Sequence, residues 1–251
     1  MIEIKSLSAG YTSNDVLKDI NVKFEDGLFT SIIGPNGCGK STLFKTITGL
    51  LPYANGSIVV DGENLKDLSN KQRAKKVAYI AQLRNVPNIM VGKMVLHGRF
   101  PYISYPRSYS KNDMEIAQSA MEKTGVYEFK DENVEHLSGG QRQKVYLAMA
   151  LAQTAKNILM DEPLTYLDVH HQIDFMNLVM DLKNTNNAPV MVIHDIVLAL
   201  KYSDKIIVMD EGKIKFEGSP EDVFESEILN KVFDIKLNRV QVKGQWQYYY
   251  E

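Results

Sequence analysis

The chain has 251 residues, enough for one large domain or two small ones, and its 44% hydrophobic content is enough to build a core. Its 29 lysines and arginines against 31 aspartates and glutamates exclude bulk basicity as a route to nucleic acid. A single cysteine, Cys38, excludes an intrachain disulfide and agrees with a reducing compartment. Met1 to Lys5 lacks the apolar stretch of a signal peptide, and the longest apolar run, Val145 to Ala152, is too short to span a bilayer. The expectation is a soluble, cytoplasmic chain that meets a membrane only through a partner.

Ile2 to Leu7 alternates like a strand, and Val22 to Phe24 reads as a second. Phe29 to Ile33 is a buried strand, and Ser41 to Thr48 a helix. Ser57 to Val60 is a further strand, closed by the tight-turn pair Asp61-Gly62. Lys76 to Ile80 ends just before Gln82. From Leu83 to about Gln153 strand signals give way to helical periodicity. Ser110 to Asp113 has the spacing of a capping box, opening a helix that runs to about Thr124 and closes at Gly125. Leu137-Ser138-Gly139-Gly140-Gln141 opens the helix through Val145 to Leu151.

Asn157 to Met160 is an uninterrupted apolar strand of the kind found in a parallel sheet covered on both faces. Val169 to Lys183 reads as a long helix, Val190 to Ile193 as a buried strand, and Ile196 to Tyr202 as the helix behind it. Lys205 to Met209 and Lys213 to Glu217 flank Asp210-Glu211-Gly212 as a hairpin. Ser219-Pro220 starts a helix, with the rest to Glu251 a short mixed tail. The fold class is α/β with a mostly parallel sheet, read as a single domain over 1–251. Residues 1–84 and 154–222 make the core, 85–153 a helical insertion and 223–251 the tail.

Between the Phe29–Ile33 strand and its helix lies Gly34-Pro35-Asn36-Gly37-Cys38-Gly39-Lys40-Ser41, the pattern G-x-x-x-x-G-K-S. The glycines let backbone N–H groups close around phosphate oxygens, Lys40 reaches the β- and γ-phosphates, and the Ser41 hydroxyl suits Mg²⁺. The loop sits at a helix N-terminus, where the dipole favours anions. Met160-Asp161-Glu162-Pro163 ends a strand with adjacent carboxylates, where an open parallel sheet collects its ligands. One of them can hold Mg²⁺ and the next can activate water. His194 ends the following strand in the same way. Ser138 and Gln141 have capping-box spacing, but a cap has no need of two glycines. Gly139 and Gly140 make sense where another backbone or a phosphate comes close.

On these motifs, with Gln82 and Leu167-Asp168 in the same order, the chain resembles an ABC-type ATPase subunit from about Met1 to about Phe224. The resemblance implies a P-loop NTPase core, an N-terminal antiparallel β subdomain and an inserted α-helical subdomain. It implies ATP and Mg²⁺ as cofactors. Tyr11 would stack on adenine. The backbone from Gly34 through Thr42, including Asn36, Gly37, Cys38 and Gly39, would hold phosphate with Lys40. Ser41, Gln82 and Asp161 would serve Mg²⁺. Glu162 would be the general base and His194 would position the γ-phosphate. Ser138, Gly139, Gly140 and Gln141 would meet ATP held by a second subunit, and Asp168 would signal across that interface. A homodimer enclosing two ATP follows, in which hydrolysis lets the pair open. Leu164 departs from the family, which commonly has a small or polar residue after Asp-Glu-Pro.

The stretch 83–107 carries Arg84, Met90, Met94, Arg99, Phe100, Tyr102, Tyr105 and Arg107. Met94 and Phe100 read as residues of the helical insertion itself, and the Arg- and Tyr-rich part as a docking groove for transmembrane permease subunits. His97-Gly98-Arg99-Phe100-Pro101-Tyr102, Cys38 and Thr165-Tyr166-Leu167-Asp168 resemble the importer branch for ferric siderophores, haem and cobalamin. That branch implies a peripheral place on the inner membrane face and, indirectly, a solute-binding protein. Tandem ATPase domains, a coiled-coil insertion or a basic arm would mark the alternative, a soluble ABC ATPase acting on nucleic acid or ribosomes, and none is present. Lys71, Arg73, Lys75 and Lys76 read as a solvated face. Trp246 and Tyr248 to Tyr250 read as either an edge strand or a contact surface.

Overall fold

The computed structural model describes residues 1–11, 15–82, 86–105, 108–185 and 187–251. The chain opens with β1 (Ile2–Ala9) and β2 (Leu17–Phe24), then runs through β3 (Thr30–Ile33) into α1 (Lys40–Ile47). It returns as β4 (Asn55–Val60), β5 (Glu63–Asn64), α2 (Asn70–Lys76) and β6 (Val77–Ile80). Three helices follow, α3 (Val91–His97), α4 (Lys111–Thr124) and α5 (Gly139–Ala152). Next come β7 (Asn157–Asp161), α6 (Val169–Asn184), β8 (Ala188–Val192), α7 (Ile196–Tyr202) and the hairpin β9 (Lys205–Asp210) and β10 (Lys213–Gly218). The chain closes with α8 (Pro220–Glu225), α9 (Ile228–Phe233), β11 (Leu237–Val242) and β12 (Gln245–Tyr250).

A four-stranded antiparallel sheet has the order β2-β1-β4-β5, and a six-stranded sheet the order β10-β9-β3-β8-β7-β6. In the larger sheet every pair is parallel except β9 with β10. β3, β6, β7, β8 and β9 are buried at nearly every position because both faces are covered, while the edge strand β10 alternates with exposed residues. Ile33, Met160 and Val208 point into one core with the helices, while Ile32, Leu159 and Ile207 point into the other. That second core holds Leu43, Phe44 and Ile47 of α1 together with Ile4, Ile20 and Ile58 of the smaller sheet. The helix that follows the phosphate loop is therefore gripped between two sheets.

Several elements differ from the sequence reading. β2 begins at Leu17, not Val22, because register slips and positive φ at Ser6 and Asp19 break the alternation between β1 and β2. Lys76 ends a helix rather than starting a strand. α2 buries none of its side chains, so it has no apolar stripe, and its capping box between Ser69 and Gln72 is its main local signal. The tail is no edge strand of either large sheet. β11 and β12 form their own hairpin, turned by Lys243 (φ 51°) and Gly244 (φ 81°). Asp61-Gly62 and Glu211-Gly212 share those two positive φ values, the turn that matches strand twist in two-residue hairpins.

Candidate active site at the strand ends

The parallel strands β3, β8, β7 and β6 lie side by side, and each delivers a residue at its C-terminal end. β3 feeds the Gly34–Ser41 loop, β8 leads to His194, β7 to Asp161 and Glu162, and β6 to Gln82. Residues far apart in sequence thus meet along one edge.

The loop curls around its own lysine. Lys40 is buried, and its ammonium donates to the Gly34 carbonyl at 2.7 Å and the Pro35 carbonyl at 2.9 Å. Gly37 (φ +79°) and Gly39 (φ +108°) take a backbone that other residues resist, and no atom lies within 4 Å of where a Gly37 side chain would begin. A left-handed glycine directly before a helix turns backbone N–H groups into one concavity, which fits a phosphate. Cys38 and Thr42 are buried. Burial pushes the Cys38 thiol pKa up, so this residue offers the loop its backbone rather than a thiolate. Tyr11 is exposed and leans toward α1, where the Lys45 ammonium donates to its hydroxyl at 3.2 Å.

Asp161 is 3% exposed, and both its oxygens are engaged. Ser41 Oγ donates to Oδ1 at 3.1 Å and Tyr79 Oη to Oδ2 at 3.0 Å. Burial raises its pKa, and these two hydrogen bonds oppose the rise. Tyr79, which the motifs do not mark, is itself pushed up by burial and by the Asp161 charge. Its ring meets Phe44 edge-on at 6.2 Å, which fixes its direction. Glu162 sits between two other candidate site residues: Gln82, read for Mg²⁺, donates from Nε2 to Oε2 at 2.6 Å, and His194 Nε2 lies 2.7 Å from Oε1. With its nitrogen committed to Glu162, Gln82 keeps its amide oxygen for a cation. Ser41 Oγ, Asp161 and the Gln82 oxygen are hard donors of the kind that suit Mg²⁺ completed by phosphate and water. Among the described residues no group of three His, Cys, Asp or Glu gathers around one point. Glu162 holds φ 54°, a left-handed backbone rare outside glycine.

Ser138 caps α5: its Oγ accepts the Gln141 N–H, and Gln141 Oε1 accepts the Ser138 N–H at 2.9 Å. The sequence reading gave Gly139 and Gly140 to an approaching backbone or phosphate. At Gly140 the close neighbour is instead an imidazole of the same chain, since a Cβ there would fall 2.1 Å from His171 Cδ2. Gly139 has only Leu167 nearby, at 3.7 Å. Asp168 caps α6. Leu164 is buried in the core, which accounts for an apolar residue after Glu162-Pro163.

The segment after α3 also departs from expectation. Arg99 is not a docking anchor. It is 4% exposed, with Nε donating to Asp113 Oδ1 at 2.9 Å and Nη1 to the Ala152 carbonyl at 2.9 Å and Thr154 Oγ1 at 3.0 Å. Its guanidinium stacks 3.8 Å from the Tyr102 ring centre. Met94 is in the core as read, but Phe100 is exposed. Phe100, Pro101 and Ile103 line a groove of about 420 Å³ with Asn70, Lys71 and Ala74 of α2. The α2 cations stay on a solvated face as read, none of them buried, and their head groups reach local partners: Lys71 donates to the Ile103 carbonyl, Arg73 to the Leu65 carbonyl, Lys75 lies over Tyr102 and Lys76 pairs with Glu63. Arg84 and Arg107 lie outside the described residues.

No described helix is long and apolar enough to cross a membrane. The ABC transporter family profile matches residues 17–165. The ferric enterobactin transport ATP-binding protein FepC of Escherichia coli (strain K12) is 37% identical over 234 residues, covering 92% of this chain and 86% of that protein. The petrobactin import ATP-binding protein FpuD of Bacillus anthracis is 38% identical, with the same coverage of 92% and 86%. Among solved structures, the dimeric bacterial ABC transporter cassette MJ0796 superposes with a TM-score of 0.76 at 28% identity, covering 88% of this chain and 99% of that one. A phosphate loop, paired carboxylates, a strand-end histidine and a serine-capped glycine pair therefore stand in a chain that belongs to the ABC transporter family, as an ATP-hydrolysing subunit.

Proposed function

We propose that this chain powers a permease importing an iron–siderophore, haem or cobalamin chelate, and that it works as a two-fold pair closed over two ATP. The relatives named for ferric enterobactin and petrobactin support the chelate class. The groove beside Phe100 and Lys71 is the docking place we assign to the permease, which would hold the chain peripherally on the inner membrane face. In this reading residues 1–84 and 154–222 bind nucleotide, 85–153 present the signature and 223–251 are an appended tail.

The observation that carries the chemistry is Glu162 bridged by Gln82 and His194 at the strand ends. Glu162 takes the proton of the attacking water, and His194 holds both that carboxylate and the γ-phosphate. Lys40 swings from its carbonyl partners to β- and γ-oxygens, and Tyr11 stacks on adenine. Ser41, Asp161 and Gln82 would hold Mg²⁺, which would supply neutralisation of the phosphate charge. The loop 34–42 cradles one nucleotide while Ser138 to Gln141 and Asp168 face the partner's nucleotide. Closure excludes water.

Glu162→Gln tests this. General-base loss costs typically a hundred- to ten-thousand-fold in rate. ATP binding is expected to survive, and an ATP-bound dimer to accumulate in sedimentation. A hydrolysis rate within threefold of the parent would remove Glu162 from its role. A purely monomeric ATP complex would remove the shared site.

A further inference from the structure

The signature cap and the Asp168 loop belong to different helices, α5 and α6, yet one side chain touches both. His171 Nδ1 lies 2.7 Å from Asp168 Oδ1. The same carboxylate oxygen accepts the His171 backbone N–H at 2.9 Å. Those two contacts, the backbone one first, hold the Asp168 pKa below the usual carboxylate range. An ionised carboxylate only accepts, so Nδ1 carries the proton. The other edge of the ring fills the space where Gly140 lacks a Cβ, with Cδ2 at 2.1 Å and Nε2 at 3.0 Å from that position. No other residue type fits position 140 while the ring stands there. α5 gives up the helix stability of a larger residue to admit it.

The neighbouring contacts run the same way. The Gln172 amide donates to the Leu164 carbonyl at 3.4 Å and the Leu167 carbonyl at 3.2 Å. Leu167 in turn lies beside Gly139. The first turn of α6 thus braces the loop 164–168, and through His171 it sets the loop's distance from the α5 cap.

We propose that His171 is a positioning residue for ATP hydrolysis: a strut that holds the Ser138–Gln141 cap and Asp168 at a fixed separation, so that both meet a partner's nucleotide as one surface. This rests on the shared-site reading above. His171 touches no nucleotide and acts through Gly140 and Asp168.

The test uses the full chain and His171→Ala. ATP affinity of the monomer is expected to stay within twofold, because the phosphate loop is untouched. The kcat is expected to fall at least tenfold with KM little changed. In a Glu162→Gln background, the ATP-driven dimer should dissociate at least tenfold more readily. His171→Gln, which keeps an N–H and much of the bulk, should recover kcat to within threefold of the parent. Lys144→Ala breaks the separate Lys144–Asp174 contact between α5 and α6, 3.4 Å long, and should leave kcat within twofold. Gly140→Ala should lower Tm, and by less when His171 is already alanine, which reads the ring–glycine contact directly. The strut is overturned if His171→Ala keeps kcat and dimerisation within twofold, or if Lys144→Ala lowers kcat equally. If Glu162→Gln alone stays monomeric with ATP, the shared-site reading falls first, on an arm that does not involve His171, and the strut falls with it.

Discussion

Two buried carboxylates in this molecule are handled in opposite ways. Asp113, in the helical segment, meets the Arg99 guanidinium at 2.9 Å and also accepts from the Ser110 hydroxyl. Those contacts, Ser110 first, hold its pKa below the usual range. Asp161, at the strand ends, is held by two neutral hydroxyls and has no ion-pair partner among the described residues. Burial lifts its pKa. A carboxylate already matched by a guanidinium gains little from a further cation. One held by neutral donors gains much. The first is built to be rigid and the second to receive charge.

The sharpest way to break this contrast is to remove the matched charge. Asp113→Asn leaves Arg99 buried without its counter-ion, and breaking such a pair costs about 3–5 kcal/mol. Urea unfolding should show that loss, and a loss under 1 kcal/mol would mean the pair is not buried in solution. The pH dependence carries a sign. Because the folded pKa of Asp113 lies below its ordinary 3.8, its contribution is full above that value and fades as pH falls through the lower folded value. The stability gap between parent and Asp113→Asn should therefore narrow on acidification below 3.8 and be constant near neutrality.

The reverse change probes the under-compensated carboxylate. Tyr79→Phe leaves Asp161 Oδ2 buried without its donor, at a cost of about 2 kcal/mol, read as a lower Tm without nucleotide. An unchanged Tm would mean that Tyr79 does not hold Asp161. The smallest effect is expected at the exposed rim. Tyr11→Ala should weaken ATP by about 1 kcal/mol, the low end for a base–aromatic stack. Equal ATP affinity by calorimetry would take Tyr11 out of the site.

The strand-end site was legible because its chemistry needs particular residues at particular spacings, from Gly34 to Ser41 and at Asp161-Glu162. Gln82 and His194 lack a spaced motif of their own, and only their places just after apolar strands marked them. Tyr79 escaped notice because a tyrosine in an apolar strand reads as core, and only the β6–β7 register aims its hydroxyl at Asp161. Arg99 misled for a related reason: an arginine among aromatics looks like an anchor, and its partner Asp113 lies beyond an intervening turn. Gly140 was read as room for an approaching backbone or phosphate, and the ring of α6 that also stands against it left no mark in the local sequence. α2 and the first half of β2 lacked periodicity, one because it buries nothing and the other because it bulges.

Glu162 sits on a backbone that nature ordinarily assigns to glycine or asparagine. Its conformation costs about 1–2 kcal/mol, and in the function proposed above it is kept for proton abstraction. A descendant released from splitting nucleotides would have a thermodynamic reason to discard the glutamate, so that the first trace of lost turnover in such a lineage would be a gain in thermal endurance.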